Sequence, residues 1–144
     1  MTKMDENQAV LKVLEVNSDF YNAFENLSIE RMETLWKHDD NIVCIHPGWD
    51  LFIGWLAIRE SWMTIFHNTE MIRFIITNTK IRIFEDISVV VCLENIETSV
   101  SRQTVRFGVT ATNIFEHSNE NKKWLLIHHH GSSVSNYLAP NISV

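Results

Sequence analysis

The chain has 144 residues, of which 45% are hydrophobic and 21% are charged, and its formal net charge is −6. This length is typical of one domain with its own core, so we expect a single domain over residues 1–144. Acidic residues outnumber basic ones by 18 to 12, and the basic residues form no cluster of the kind that binds a phosphate backbone. The composition therefore argues against a nucleic-acid partner.

The hydropathy pattern also argues against a membrane partner. The longest apolar runs, such as residues 87–93, are far too short to cross a bilayer. Residues 1–20 are interspersed with acidic side chains and hold no long apolar block, which does not fit a secretory signal. Cys44 and Cys92 lie in apolar, strand-like stretches and are expected to be buried thiols rather than a disulfide. These features predict a cytoplasmic location.

The first part of the chain has helical periodicity. A helix is predicted over residues 6–27, because its large apolar side chains recur at helical spacing. Ser28 is a suitable N-cap for a second, short helix with Glu30 in its first turn, and this helix ends at residues 38–41. The side chains predicted to face inward are Val13, Val16, Phe20, Phe24 and Leu27 in the first helix, and Met32, Leu35 and Trp36 in the second.

A short strand and a third helix follow. The strand is predicted over residues 42–45, and it runs into a turn at Pro47-Gly48. The third helix begins after Gly54, with a buried stripe that consists of Trp55, Ile58, Trp62, Ile65 and Phe66.

The second half of the chain changes to strand periodicity. Residues 71–84, 87–98, 103–117 and 123–131 are rich in Ile, Val, Thr and Phe and predict four antiparallel strands in a meander. In the third of these strands one face is largely apolar and the other is largely polar, so the sheet should pack on helices on one side only. The inner face holds Val105, Phe107, Val109, Ala111, Asn113 and Phe115. The predicted class is α+β, with three N-terminal helices packed on a strongly curved antiparallel sheet.

Three segments carry a resemblance to a known group of proteins. "YNAFENLSIERMETLWKHDDNIVCIHPGW", "GWLAIRESW" and "KKWLLIHHHGS" resemble the first helix pair with its strand, the third helix and the last strand of SnoaL-like and ketosteroid-isomerase-like proteins. These proteins belong to the nuclear-transport-factor-2-like superfamily. The resemblance covers nearly the whole chain and implies a cone-shaped barrel of sheet closed by helices. It does not imply one function, because the superfamily contains enzymes, oligomerisation domains and transport adaptors.

The resemblance also nominates site residues. With the Asp39-Asp40 pair as anchor, Tyr21 corresponds to the oxyanion-hole tyrosine of ketosteroid isomerase and His46 to its catalytic aspartate. Ala111 corresponds to the second oxyanion donor, so isomerisation of a ketosteroid is not expected. Tyr21 and His46 are the predicted catalytic residues, suited to general acid/base chemistry.

Each nomination has a structural alternative. His46 could instead support the turn at Pro47-Gly48, and Tyr21 could be a packing residue of the helix face. Asp39 and Asp40 are expected to be turn residues. Arg59 is expected at the surface, and so is Arg73, with the clamping of a ligand carboxylate as the alternative for both.

The last strand carries His128-His129-His130, of which only alternate members share a face. With Trp124 and Leu126 in phase, His128 and His130 are assigned to the inner face, although Leu125, Ile127 and His129 form a nearly equal set. His46, His128 and His130 could form a three-histidine zinc site, but no carboxylate is evident that would hydrogen-bond to the zinc-binding histidines. No metal and no cofactor are therefore predicted.

Further residues are predicted to bind a ligand. Trp49 lies in the loop that would border the mouth of a cavity, where it could stack on a planar ligand. Trp62, Asn113, His128 and His130 complete the set. We expect Tyr21, His46, Trp49 and a histidine of the last strand to line one cavity.

Two classes of function remain open at this point. One is an isomerase, dehydratase or cyclase that acts on a small apolar carbonyl or hydroxy compound. The other is a non-catalytic module that binds a ligand or assembles a partner with the same cavity. A homodimer is also predicted, because the outer face of the sheet carries Ile114 and Phe84.

Overall fold

The structure, a computed structural model, describes residues 5–140. Within this range there are three helices and six strands; all follow the predicted order except a two-residue strand, Phe52–Ile53, which the sequence does not predict. They are α1 (Glu6–Glu25), α2 (Ile29–Leu35), β1 (Val43–Ile45), β2 (Phe52–Ile53), α3 (Trp55–Asn68), β3 (Ile72–Phe84), β4 (Ile87–Val100), β5 (Gln103–Ser118) and β6 (Lys123–Ser133).

The helix ends follow local capping chemistry. The Asp5 side chain accepts a hydrogen bond from the backbone of Asn7 at the start of α1. The Ser28 side chain accepts from the backbone of Arg31 at the start of α2, as the sequence predicts. Asp39 accepts from the backbone of Asn41 and is a turn residue. These bonds satisfy backbone donors that a helix end or a turn would otherwise leave unpaired.

All six strands belong to one sheet, in the order β2-β1-β6-β5-β4-β3. The four long strands form the predicted antiparallel meander. However, β1 pairs with β6 in parallel, so the sheet is mixed rather than wholly antiparallel. Sequence alternation could not show this pairing, because it joins two segments that lie about 80 residues apart in the chain.

The sheet is open and curves around α1. This helix contacts both β3 at one edge and β6 three places away in the strand order, which a flat sheet would not allow. The inner face and the helices share one core, in which Phe20, Trp62 and Phe115 are among the largest fully buried side chains. The predicted arrangement of three N-terminal helices on a curved sheet is therefore confirmed.

The inward phase of β6 differs from the one assigned from sequence. Trp124 and Leu126 are buried as expected, but His129 is buried, while His128 is half-buried and His130 is exposed. The pairing with β5 shifts at this point, since Ile114 is opposite His128 and Phe115 is opposite Leu126. This bulge adds one residue and reverses the alternation. The assignment of His128 and His130 to the inner face is therefore wrong.

The segment after β6 folds back over the outer face of the sheet. Val134 donates a backbone hydrogen bond to Gly108, and the Tyr137 hydroxyl donates to the Asn95 side chain at 2.5 Å. A Cβ atom on Gly108 would lie 2.3 Å from the Tyr137 ring, so the ring occupies the space that a side chain would need. Both cysteines are buried free thiols, as predicted. No helix within residues 5–140 is long and apolar enough to cross a membrane.

Candidate functional site

Tyr21 is the centre of a buried polar cluster. It lies near the C-terminal end of α1, and its side chain is 3% exposed. Its hydroxyl donates to Oε2 of Glu94 on β4 at 2.5 Å and accepts from Nδ2 of Asn113 on β5 at 3.1 Å. Cys92 Sγ is 3.4 Å from the same oxygen. One helix and two strands therefore fix the hydroxyl.

Asn113 extends the cluster across the core. Its amide nitrogen also donates to Oδ1 of Asn17, one turn before Tyr21 on α1, at 2.9 Å. Its amide oxygen is 2.5 Å from Nδ1 of His129 on β6 and accepts a hydrogen bond from that nitrogen. The hydrogen bonds therefore run in one direction, from His129 through Asn113 and Tyr21 to the carboxylate of Glu94. We call these four residues, together with Asn17, the polar chain.

The carboxyl group of Glu94 has an altered acidity. Its side chain is 3% exposed, and burial raises its pKa to about 7, although the hydrogen bond from Tyr21 acts in the opposite direction. Burial and the nearby Glu94 raise the pKa of Tyr21 well above its usual value, so Tyr21 stays protonated. A carboxyl group with this pKa can both accept and donate a proton near neutral pH.

His46 lies at the opposite end of the polar chain. Its Nε2 is 2.9 Å from Oγ of Ser61 on α3. Because the Ser61 hydroxyl donates to the carbonyl of Ile58 at 2.6 Å, Ser61 accepts from His46 and Nε2 carries the proton. The His46 ring contacts Trp62 edge-on at 4.6 Å between centroids, and its centroid is 6.3 Å from that of His129.

Both buried histidines are held in the neutral form. Burial lowers the pKa of His46 to about 4. Burial, together with the neighbouring histidines, lowers the pKa of His129 well below its usual value. Trp62 is fully buried beside them, and its indole nitrogen makes no hydrogen bond within residues 5–140. We call His46, Ser61, Trp62 and the ring of His129 the aromatic end of the core.

A groove opens beside Tyr21, with a volume of about 330 Å³. It lies between α1 and β3, next to the position where the pairing of β3 with β4 shifts and Asn78 adopts a φ of 54°. A bulge of this kind commonly redirects side chains beside a functional site. The residues that line the groove are Leu14, Asn17, Ser18, Tyr21, Asn22, Glu25, Phe74, Ile76 and Thr79.

The predicted site residues divide between these regions. Tyr21 borders the groove, whereas His46 is enclosed by the rings of Trp49, Phe52 and Trp62. Trp49 is 42% exposed in the loop after β1, as its position in the sequence suggests.

In the part of the chain that the structure describes, Tyr21 does not share a cavity with the other residues expected to join it. Neither the groove nor a second cavity of about 240 Å³ is lined by His46, Trp49 or the β6 histidines. His46 and Tyr21 are instead connected through His129 and Asn113. His128 and His130 lie outside the core, so they do not converge with His46 on a zinc ion. Within residues 5–140, no group of three or more His, Cys, Asp or Glu side chains is placed to hold a metal.

Sequence reasoning missed two members of the polar chain, Asn17 and Glu94. Asn17 is a short polar residue at a buried position of α1. Glu94 follows Ser88, Val90 and Cys92 at every second position of β4, and all of these are buried. A carboxylate in phase with an apolar stripe was the signal that could have identified it.

The comparisons with known proteins agree with this fold. The family model of the SnoaL-like domain matches residues 13–136. The F-box protein SKIP8 of Arabidopsis thaliana is 28% identical over 121 residues, which are 83% of this chain. The chain spans 48% of the length of that relative.

Solved structures give the same result. A protein of the NTF2-like family from Streptomyces avermitilis, proposed to be a dehydratase, is 29% identical with a TM-score of 0.84, over 91% of this chain and 99% of its own. A proposed calcium/calmodulin-dependent protein kinase type II association domain from Thiobacillus denitrificans is 25% identical with a TM-score of 0.75, over 83% and 93% of the two chains. The CaMKII hub of S. rosetta, at 18% identity and a TM-score of 0.68 over 85% and 95%, shares the fold.

Proposed function

This chain belongs to the SnoaL-like domain family, and we propose that it converts a small, largely apolar carbonyl or hydroxy compound by acid/base chemistry. The reaction class is that of an isomerase, a dehydratase or a cyclase. The relative from Streptomyces avermitilis, itself proposed to be a dehydratase, supports this class. The two buried free thiols fit a reducing compartment and support a cytoplasmic location.

One observation carries the proposal: Tyr21 lines the groove, and its hydroxyl donates at 2.5 Å to the carboxyl group of Glu94, which is buried behind it. Burial of a carboxyl group costs free energy, because it disfavours the charged form. Such groups are concentrated at functional sites, where the altered pKa is used. Here the resulting pKa of about 7 suits proton transfer at neutral pH.

The proposed chemistry uses Tyr21 as the group that faces the substrate. When a proton leaves the substrate, the Tyr21 oxygen accepts it as the Tyr21 proton passes to deprotonated Glu94. The reverse movement returns a proton to a substrate oxygen or carbon. Asn113 holds the hydroxyl in place through its amide nitrogen, and Asn17 borders the same groove.

His46 has a positioning role in this proposal rather than a direct proton transfer. Its bond to Ser61 and its contact with Trp62 fix the wall against which His129 packs. His129 in turn fixes the orientation of the Asn113 amide by donating to its oxygen. The proposed order of influence is therefore His46, His129, Asn113 and Tyr21.

The experiment begins with the compound that co-purifies with the protein, identified by mass spectrometry, and with a panel of small carbonyl and hydroxy compounds. Tyr21→Phe and Glu94→Gln should each lower kcat by about 100-fold or more while ligand binding is retained. Glu60→Gln, at an exposed position of α3 outside the groove, is the control and should leave kcat within about twofold. If the wild-type protein retains a groove ligand but never converts it, or if both variants keep full turnover, the enzymatic proposal fails.

A second candidate function is assembly. The relative from Thiobacillus denitrificans is a proposed association domain, and this observation supports an oligomeric module. We expect a homodimer formed through the outer face of the sheet, where Phe84 is 51% exposed and Ile114 is half-buried. Light scattering should give twice the chain mass at micromolar concentration, and Ile114→Glu should give a monomer. A wild-type monomer at that concentration would contradict the dimer.

A further inference from the structure

We propose that the outer face of the sheet carries a second ligand site, separate from the groove beside Tyr21, which binds a small monocarboxylate with an apolar body. The site is the cavity of about 240 Å³ between the start of β3, the end of β4 and the segment after β6. Its lining includes two guanidinium groups, Arg73 and Arg106, and two carboxylates, Glu25 and Glu97. Apolar surface comes from Ile75, Tyr137 and Pro140.

The charged groups form one row across three strands. Arg73 on β3 is opposite Glu97 on β4, and Glu97 is opposite Arg106 on β5. The Nε of Arg106 is 3.1 Å from Oε2 of Glu97, so these two charges are paired. Within residues 5–140, Arg73 has no carboxylate within 4.0 Å. The row therefore leaves one guanidinium group available at the cavity.

The opposite wall is held in a defined position. The Tyr137 ring lies directly over Gly108, where a Cβ atom would be 2.3 Å from it. The Tyr137 hydroxyl also donates to Asn95, which is itself fixed because its amide nitrogen donates to the carbonyl of Ile75 at 2.8 Å. The segment that contains Ala139 and Pro140 also lines the cavity, and it is held in place by Tyr137.

The ligand class follows from these two walls. A guanidinium group binds a carboxylate through two parallel hydrogen bonds, which a neutral amide cannot match in strength. The Tyr137 ring, Ile75 and Pro140 offer apolar surface to the remainder of the molecule. The cavity, at about 240 Å³, is slightly smaller than the roughly 300–1,000 Å³ of typical ligand pockets, so a compact acid is favoured over a long chain.

Benzoate is the probe, and its neutral isostere benzamide is the matched control. In a nitrogen-15 NMR titration of the full chain, benzoate should shift the resonances of residues 73, 97, 106 and 137. Arg73→Gln should weaken benzoate binding by about tenfold or more. Arg82→Gln, an exposed arginine on the same strand outside the cavity, should leave it unchanged. Gly108→Ala should also weaken binding, because its Cβ displaces Tyr137.

The outcomes distinguish this site from the groove. Equal binding of benzamide and benzoate, or no effect of Arg73→Gln in a variant with an unchanged melting temperature, would overturn the proposal. So would benzoate shifts confined to Asn17, Tyr21 and their neighbours. Turnover in the groove is a separate measurement, so the second site can fail while the acid/base proposal stands, or the reverse.

Discussion

The polar chain and the aromatic end of the core bury their ionisable groups in different ways. In the polar chain, Tyr21 and Asn113 use side chains from one helix and three strands as partners. At the aromatic end, His46 has one hydroxyl partner, Ser61. The rest of its surroundings are the Cys44 thiol, 3.6 Å from Nε2, and aromatic rings. Both regions lie within a few ångströms in one interior, yet only the polar chain borders the groove. Burial alone therefore does not identify a candidate functional site. The polar chain is distinguished by its access to the groove and by its continuous series of hydrogen bonds.

The two regions also respond to pH with opposite sign. Glu94 has a pKa of about 7 in the folded protein against 4.5 as its ordinary value, so its favourable contribution exists at low pH and is lost as pH rises through 7. His46 has a pKa of about 4 against 6.5, so its contribution exists above pH 6.5 and is lost as pH falls through 4. From these two groups, the free energy of unfolding should be greatest between about pH 4 and pH 7.

The largest effect is expected where the two regions join. Asn113→Leu keeps a similar volume but removes the partners of Asn17 Oδ1 and His129 Nδ1, each of which is buried. The free energy of unfolding should fall by about 4 kcal/mol, since each unpaired buried group costs about 1–3 kcal/mol. Urea unfolding followed by tryptophan fluorescence measures it.

The control for this variant is Thr110→Val, on the same strand but on the exposed face. It should change the free energy of unfolding by less than about 0.5 kcal/mol. A loss of less than about 1 kcal/mol for Asn113→Leu would mean that the polar chain adds little to stability.

The sequence predicts the helices and strands that form the two regions better than it predicts their buried polar side chains. Hydrophobic periodicity was enough for the helices and the four long strands, because each repeats its pattern over several turns or pairs. It failed at His128 and His130, since a bulge of one residue reverses a strand's phase without any mark in the composition. Glu94 was missed because a single carboxylate on a strand normally faces solvent. Only the inward phase of its neighbours reveals that it does not.

The second prediction tests the alkaline limb of the pH profile. Glu94→Gln keeps an acceptor for Tyr21 but cannot ionise. With a folded pKa of about 7, the wild-type protein should lose about 2.5 kcal/mol more stability than the variant between pH 5 and pH 8. Chemical denaturation at the two pH values measures this difference. Glu60→Gln, at an exposed position of α3, should follow the wild-type profile. Parallel profiles for the wild type and Glu94→Gln would show that Glu94 is already ionised at pH 5.

The third prediction concerns the acid limb and the aromatic end. His46→Gln retains a donor for Ser61 but has no group that must stay neutral. With a folded pKa of about 4, wild-type His46 should cost the fold about 2 kcal/mol on going from pH 8 to pH 5. The variant should lack this loss, whereas His67→Gln, at an exposed position near the end of α3, should keep it.

Thermal or urea unfolding at pH 5, 6 and 8 measures the acid limb. Because Glu94 acts in the opposite direction over part of this range, the measurement is made in the Glu94→Gln background, where only the histidines titrate in the core. His129 also contributes, since its pKa lies well below its usual value, so His46→Gln should flatten the acid limb but not abolish it. Complete loss of the acid limb would mean that His129 does not titrate independently of His46. An unchanged limb would mean that His46 is not held neutral, and the contrast between the two regions would then rest on Glu94 alone.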